Sequence, residues 1–232
     1  MNNSSQKRLT ATNEFDPDCR DCPRLSDFLD QVLVDYPDYF ARPVPSFGSE
    51  QPSLLIVGLA PGMHGANRTG RPFTGDQAGV LLYQMLHEFG FATNGESISA
   101  DDALELTSAR ITNAVKCLPP QNKPTGAEIR SCNRFLLAEI KARQPKVLLA
   151  LGRIAHQAVL RSLQLKLKDW PFAHGAEHQL PDGYLLVDSY HCSRYNINTR
   201  RLTESMFRDV FKRCKQLVDL AENAELSEAQ FS

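Results

Sequence analysis

Residues 53–62 read SLLIVGLAPG, and this stretch decides the fold because a short apolar run ends in a turn rich in glycine and proline. Apolar runs of about four to eight residues bounded by turn signals are typical of strands that are buried on both faces. Further runs of this kind follow along the chain. Together they predict four strands, at residues 53–58, 109–113, 146–151 and 184–188.

Apolar residues recur at helical spacing between and beside these strands, which predicts helices at residues 24–35, 78–89, 127–143, 153–163 and 202–220. Strands that alternate with helices of this length predict an α/β fold, with a central, mostly parallel four-stranded sheet flanked by helices. We expect a single domain at residues 19–221, with residues 37–51 as a surface linker. The polar ends, residues 1–18 and 222–232, are predicted to be disordered tails.

Composition narrows the possible partners. The chain has 232 residues, 42% of them hydrophobic and 23% charged, as in an ordinary globular protein. The net charge of -1 offers no general attraction for a polyanion, so a nucleic-acid interface must rest on local basic clusters, here residues 67–71 and 194–201. No apolar run approaches the ~20 residues that span a bilayer. We expect a cytoplasmic protein without a membrane partner.

The predicted strand ends indicate where a site lies. In an open parallel sheet, ligands bind beyond the carboxyl ends of the strands. The four strands are followed by residues 58–62, 113–117, 152–153 and 189–193, all of them glycine-rich or polar. We therefore expect the functional site at this edge of the sheet.

Because thiols in the cytoplasm are kept reduced, six cysteines in a cytoplasmic chain favour a metal site over disulfides. Cys19 and Cys22 form a C-x2-C pair, and Cys117 and Cys132 supply two more thiols. Four thiolates suit either a zinc ion or a 4Fe-4S cluster, and spacing does not choose between them. The alternative for Cys117 and Cys132 is that they are small buried core residues.

Three segments carry a family resemblance: GLAPGMHGANRTGRPFTGD at residues 58–76, TNAVKC at 112–117 and HCSRYNINTRRLT at 191–203. With the cysteine pattern, they resemble the signature segments of the type b, or family 5, uracil-DNA glycosylases. The resemblance spans roughly residues 19–213. It implies a monofunctional DNA repair glycosylase that hydrolyses the N-glycosidic bond of uracil, and of other deaminated bases such as hypoxanthine and xanthine, to start base excision repair.

The resemblance also implies roles for individual residues. The four cysteines would ligate a structural 4Fe-4S cluster. His191 would donate a hydrogen bond to the departing base. Asp76 would orient water or stabilise the sugar cation, although Thr74-Gly75-Asp76 is also a helix N-cap pattern. The remaining substrate-binding candidates are Gly58, Ala60, Gly62, His64, Phe73 and Asn113.

The partner implied is DNA that contains uracil or another deaminated base, bound by a monomer with no protein partner. Arg194 and Tyr195, on a loop after His191, are expected to enter the minor groove, with cationic groups nearby on phosphates. The full set of DNA-binding candidates is Arg68, Arg194, Tyr195 and Arg200. The nearest lysine to the predicted site is Lys116, beside a cysteine, so strand cleavage through a Schiff base is not expected.

The sequence differs from the related family 4 enzymes at one position, in a way typical of family 5, and from the family's last motif at two. Leu59 stands where the related family 4 enzymes have Glu, which removes one acid from the site. Cys192 follows His191 where the family often has Pro, and Arg200 replaces a frequent Gly. Two other readings stay open: a non-catalytic or covalent binder of uracil-containing DNA, and an iron-sulfur sensor.

Overall fold

The structure is a computed structural model that describes residues 15–230. Most of the predicted N-terminal tail, residues 1–14, lies outside the described residues, as do residues 231–232 at the other end. Within the described range, no helix is long and apolar enough to cross a membrane.

The sheet has six strands rather than the predicted four. The four predicted strands are present as β2 (Leu54–Gly58), β3 (Ala109–Asn113), β4 (Val147–Leu151) and β6 (Leu185–Ser189), and they pair in parallel. Two short antiparallel strands, β1 (Phe47–Gly48) and β5 (Glu177–Gln179), are added at the edges in the order β1-β3-β2-β4-β6-β5. The sheet is therefore mixed.

The two edge strands were missed because they carry no apolar pattern of their own. Phe47–Gly48 is only 2 residues long and lies within the predicted linker, and Glu177–Gln179 is only 3 residues long and polar. Each is held in place by pairing with a buried neighbour, a tertiary effect that local sequence does not report.

Seven α-helices are present among residues 15–230, and three of them differ from the prediction, which had no helix at residues 66–69. Residues 194–198 form a short helix, α6, where we expected a loop. The last helix, α7, continues to Gln230, so this part of the predicted C-terminal tail is helical. The helices are α1 (Pro23–Asp35), α2 (Ala66–Thr69), α3 (Gln77–Glu88), α4 (Gly126–Arg143), α5 (Arg153–Ser162), α6 (Arg194–Asn198) and α7 (Glu204–Gln230).

The central strands are buried on both faces, because helices cover both sides of the sheet. Leu54 and Ile56 of β2 belong to a core shared with α3 and α7. Leu55 and Val57 point the other way, into a core shared with α4 and α5. All 5 residues of β2, β3 and β4 are buried. This two-sided packing fixes the register of the strands and so fixes where their carboxyl ends stand.

Candidate active site at the carboxyl edge of the sheet

A cleft of about 470 Å³ opens at the carboxyl ends of the parallel strands, where the sequence places the site. This volume is typical of sites for small organic molecules. Its lining residues come from the segments after β2, β3, β4 and β6. They include Leu59, Ala60, Gly62, Phe73, Asp76, Asn113, Arg153, Phe172, Tyr190, His191 and Arg201.

Phe73 and His191 form a pair in the cleft wall. Their ring centroids lie 5.9 Å apart and the ring planes differ by 27°. The backbone of Phe73 has φ 55°, in the left-handed region that a bulky residue rarely adopts. Strain of this kind persists only where the surrounding structure enforces it, and it occurs often at functional sites.

A buried polar network holds the segment around Phe73. Arg71, only 4% exposed, donates to Thr74 Oγ1 at 3.0 Å, to Ser97 Oγ at 2.8 Å and to Asp102 Oδ2 at 2.6 Å. The Tyr83 hydroxyl donates to the Pro72 carbonyl at 2.8 Å. Residues on both sides of Phe73 are therefore anchored, which stabilises its strained backbone.

Gly58 provides the space for Asn113 and Phe73. β2 and β3 are paired so that Gly58 and Asn113 lie side by side. A Cβ on Gly58 would lie 2.8 Å from two atoms of the Phe73 ring and closer still to Asn113 Oδ1. The Asn113 side chain is buried in the cleft wall, and its Oδ1 has no hydrogen-bond partner among the described residues.

His191 lies two residues beyond β6, with its main chain held by Asn196, whose side-chain amide donates to the His191 carbonyl at 2.8 Å. Its Nδ1 is buried and has no partner in the described part of the chain. Burial lowers the pKa of His191 from its ordinary 6.5 to about 4. The imidazole is therefore neutral at physiological pH, with one ring N–H and one lone pair.

Asp76 is both a helix cap and a residue of the cleft. Its Oδ1 accepts from the Gly79 N–H at 2.9 Å, which caps α3. Its Oδ2 is turned towards the glycine turn, close to Gly65 and, less closely, Gly62. Burial raises the pKa of Asp76, and the backbone N–H groups of Ala78 and Gly79 partly offset that shift. One oxygen is thus used by the fold and the other remains for the cleft.

Two candidates from the first motif stand apart from the cleft lining. His64 Nδ1 is 2.8 Å from the Tyr39 hydroxyl, and its ring packs edge-on against Tyr36 and Tyr39. Arg68 donates from Nε to the His64 carbonyl at 2.8 Å. Neither side chain lines the cleft, so both belong to the surface next to it.

The basic segment after His191 forms a ridge beside the cleft. Ser193 caps α6 by accepting from the Asn196 N–H at 3.3 Å. Arg194 opens this helix and is exposed, and Tyr195 is 71% exposed, unusual for a large aromatic side chain. Arg200 follows the helix with φ 56° and is also exposed. A left-handed φ at this position explains why glycine is frequent there.

Four further residues complete the cleft wall. Arg153 begins α5, and its guanidinium lies 6.0 Å from the centre of the Phe172 ring. Arg201 lies 4.8 Å from the centre of the Tyr190 ring. Arg153 and Tyr190 lie just after strand ends, in segments where the sequence predicts the site. Arg201 lies at the end of the basic cluster at residues 194–201. Phe172 carried no sequence signal, since it lies in an irregular connection.

The four cysteines of the predicted cluster line one cavity between α1, α4 and the segment after β3. Cys132 Sγ accepts from the Lys116 N–H at 3.2 Å, and Cys19 Sγ accepts from Arg134 at 3.6 Å. Donors of this kind stabilise metal-bound thiolates. Burial raises the pKa of Cys117 to about 12, so its thiolate needs a cation as partner. The other two cysteines, Cys192 and Cys214, are buried elsewhere.

Comparison with known proteins gives a consistent family. The model of the Uracil DNA glycosylase superfamily matches residues 45–215. A Type-5 uracil-DNA glycosylase of Thermus thermophilus is 46% identical over 208 residues, which cover 87% of this chain and 94% of the relative. The Type-5 enzyme of Pyrobaculum aerophilum is 40% identical over 199 residues, 84% of this chain and 87% of the relative.

A more distant group is also similar. A Type-4 uracil-DNA glycosylase of Saccharolobus solfataricus is 30% identical over 173 residues, which cover 72% of this chain and 74% of the relative. The superfamily match runs from β1 to α7 and so contains every element that lines the cleft.

Proposed function

The chain belongs to the uracil-DNA glycosylase superfamily, within its type-5 branch, and we propose that it removes uracil from DNA by hydrolysing the N-glycosidic bond. The family makes it a DNA glycosylase, a hydrolase of DNA repair. We propose which base is removed, which residues act on it and which cluster the cysteines hold. The cleft supports the first two of these.

One observation carries the proposal: two buried polar atoms in the cleft wall, Asn113 Oδ1 and His191 Nδ1, lack partners within residues 15–230. Buried polar atoms are nearly always hydrogen-bonded, so each of these needs an explanation. They stand beside Phe73, whose ring offers a flat surface. A flipped base would supply a hydrogen-bond partner for the Asn113 amide, because its face can stack on Phe73 while its edge bonds to Asn113.

The Asn113 amide matches the edge of uracil. Its Oδ1 accepts from N3–H, and its Nδ2 donates to O4. Hypoxanthine and xanthine are products of deamination, and each presents a ring N–H beside a carbonyl oxygen, as uracil does. We therefore propose that the enzyme also accepts these bases, since recognition through this one amide does not separate them.

The bond breaks with positive charge on the sugar and negative charge on the departing base. The neutral His191 donates its ring N–H to a carbonyl oxygen of that base, as an oxyanion-hole donor does. The free oxygen of Asp76 stabilises the sugar cation or orients the water that completes hydrolysis. Leu59 lines the cleft and brings no acid, so Asp76 is the carboxylate that serves this step.

The product is an abasic site in an intact strand. A Schiff base needs an amine in the cleft, and no lysine lines it in the described part of the chain. Lys116 is buried, with Nζ 3.1 Å from Ser46 Oγ and 3.5 Å from Glu139 Oε2. Its ammonium is thus part of a buried ion pair away from the cleft. Monofunctional hydrolysis follows.

The four cysteines, Cys19, Cys22, Cys117 and Cys132, would hold a 4Fe-4S cluster with a structural role. The four thiols line one cavity, with N–H donors on Cys132 and Cys19. A 4Fe-4S cluster accepts four cysteine thiolates as its ligands.

The cluster is tested by counting iron and acid-labile sulfide in protein purified without oxygen. We expect about four of each per chain. Cys132→Ala should lose them, whereas Cys214→Ala, which removes a buried thiol on α7, should keep them. Zinc in place of iron in the wild type would contradict the assignment.

Arg194 and Tyr195 are proposed to contact DNA, with α6 as the supporting ridge. Arg194→Ala should weaken binding to any duplex and reduce the slope of log affinity against log salt by about 1, because one phosphate contact is lost. Arg161→Ala, at the far end of α5, is the control. An unchanged slope in Arg194→Ala would mean that this side chain does not contact phosphate.

The proposed activity is tested with end-labelled duplexes that carry one uracil, hypoxanthine or xanthine, followed by alkali. We expect alkali-dependent cleavage at the modified position, strongly reduced in His191→Ala, Asp76→Ala and Asn113→Ala. Cleavage without alkali would reveal a lyase. A stable protein-DNA adduct without cleavage would favour the covalent binder instead.

A further inference from the structure

A second group of polar side chains lies behind the cleft wall and takes no part in the proposed chemistry. His156 of α5, His178 of β5 and Asp188 of β6 converge from three elements. His156 Nδ1 is 2.8 Å from Asp188 Oδ1, and His178 Nε2 is 3.1 Å from Asp188 Oδ2. One ligand atom from each lies within 4.8 Å of the other two.

The group is almost completely shielded from water. The side chains of His156 and Asp188 are 2% and 0% exposed, and that of His178 is 11% exposed. Taking a carboxylate out of water is costly unless a cation and hydrogen bonds compensate it. Asp188 therefore depends for this compensation on the two imidazoles beside it, or on an ion bound between them.

The orientation of His156 is fixed by a backbone carbonyl. Its Nε2 is 2.9 Å from the Trp170 carbonyl oxygen, which only accepts hydrogen bonds, so Nε2 carries a proton. Nδ1 is then the nitrogen turned towards the carboxylate. Metal-ligating histidines show this arrangement, with one nitrogen donating to a carbonyl and the other on the metal.

From this geometry we propose that His156 Nδ1, His178 Nε2 and the Asp188 carboxylate form a binding site for a divalent transition-metal ion of the zinc class. Two imidazoles and a carboxylate are a ligand set that zinc accepts, with water in the fourth position. Ligand atoms at ~2.0–2.1 Å from zinc stand ~3.3 Å apart. The two nitrogen–oxygen separations, 2.8 Å and 3.1 Å, lie within about 0.5 Å of this spacing.

Binding is an exchange of protons for the metal ion. The ion binds the lone pairs of His156 Nδ1 and His178 Nε2, so any proton on either nitrogen leaves to solvent as the metal–nitrogen bond forms, and no electron is transferred. The partly exposed His178, on an edge strand, gives the ion its route in.

The ion would stiffen one wall of the cleft. His156 packs edge-on against Phe172, with ring centroids 5.6 Å apart, and Phe172 lines the cleft. Asp188 stands two residues before Tyr190 and three before His191. The site thus ties α5 and the irregular segment 163–176 to the strand that carries the proposed base-contacting histidine. Its role is positional, since none of its three ligands lines the cleft.

The test uses cluster-containing protein stripped of loosely bound metal and then equilibrated with zinc chloride, with zinc and iron measured together. We expect about one zinc per chain above the value for His178→Ala, at equal iron content. Zinc should also raise the thermal unfolding midpoint of the wild type and leave that of His178→Ala unchanged. His87→Ala, on α3, is the matched control and should behave as the wild type.

Cobalt distinguishes this site from the cysteines. Co²⁺ in a nitrogen and oxygen site gives visible bands without thiolate charge-transfer absorption, and these bands should be absent in His178→Ala and in Asp188→Asn. Equal zinc binding by the wild type and His178→Ala would overturn the proposal. So would cobalt bands that carry only thiolate absorption, because the ion would then be at the cysteines.

Discussion

At the scale of single residues, the absence of a side chain at Gly58 makes room for two residues of the proposed base site. The space that a Cβ would fill holds the Asn113 amide and the edge of the Phe73 ring. Any larger residue must displace both groups, because neither has room to retreat within a packed strand pair. The glycine is thus required by the site rather than by a turn.

Gly58→Ala is therefore predicted to reduce single-turnover excision of uracil on the order of 10²-fold or more, since it displaces the groups that hold the base. Gly95→Ala is the control, because its Cβ would be 3.7 Å from His87, an ordinary contact. The thermal midpoint of each variant shows whether it folds. Full activity in a folded Gly58→Ala would mean that Asn113 and Phe73 do not contact the base.

His191 is the residue that we propose as the donor to the departing base. His191→Ala removes the donor that meets the departing base, so the single-turnover rate should fall on the order of 10²-fold or more with little change in DNA affinity. The matched variant is Cys192→Ala, one residue further along the chain, whose thiol is buried and does not line the cleft. An equal loss of single-turnover rate in both variants would indicate a general disturbance of this segment and not a role of His191.

At the scale of elements, the buried strands could be predicted from sequence and the edges could not. β2 and β4 carry continuous apolar runs, β6 begins with one, and β3 alternates apolar and polar residues, patterns that local reading detects. β1 and β5 exist because a neighbour offers its unpaired backbone groups. The site follows the same division: strand-end residues such as Asn113 and His191 were found, whereas Phe172 was not, because its place depends on the packing of an irregular connection.

The end of α6 gives a stability prediction. Arg200 has φ 56°, which costs a non-glycine residue about 1 kcal/mol. Arg200→Gly should therefore raise the free energy of unfolding by about 1 kcal/mol, measured by denaturant titration. Arg200→Ala keeps the backbone strain and removes the same charge, so it should not stabilise the protein. If both changes alter the free energy of unfolding equally, the loss of the Arg200 side chain, and not relief of backbone strain, explains the effect.

At the scale of the whole molecule, the burial of His191 couples the site to stability. Its pKa is lowered to about 4 in the folded protein, against an ordinary 6.5. The unfolded chain therefore binds this proton more readily than the folded one between those values. The contribution of His191 to stability is complete above pH 6.5 and is lost as the pH falls towards 4.

His191→Gln is predicted to flatten this dependence, because the amide does not titrate. Denaturant titrations of the wild type and the variant at pH 7 and pH 4.5 measure it, with the wild type losing more stability on acidification. Identical losses in the two proteins would mean that His191 is not held neutral by burial.

Direct detection of the free base tests whether this cleft releases uracil and leaves the strand intact. A duplex with a single labelled uracil is incubated with cluster-containing protein, and the products are separated before any alkali treatment. We predict free uracil and an uncut abasic strand with the wild type, and neither with Asn113→Ala. Uracil that remains in the strand, with cluster-containing protein bound to the duplex, would contradict the account.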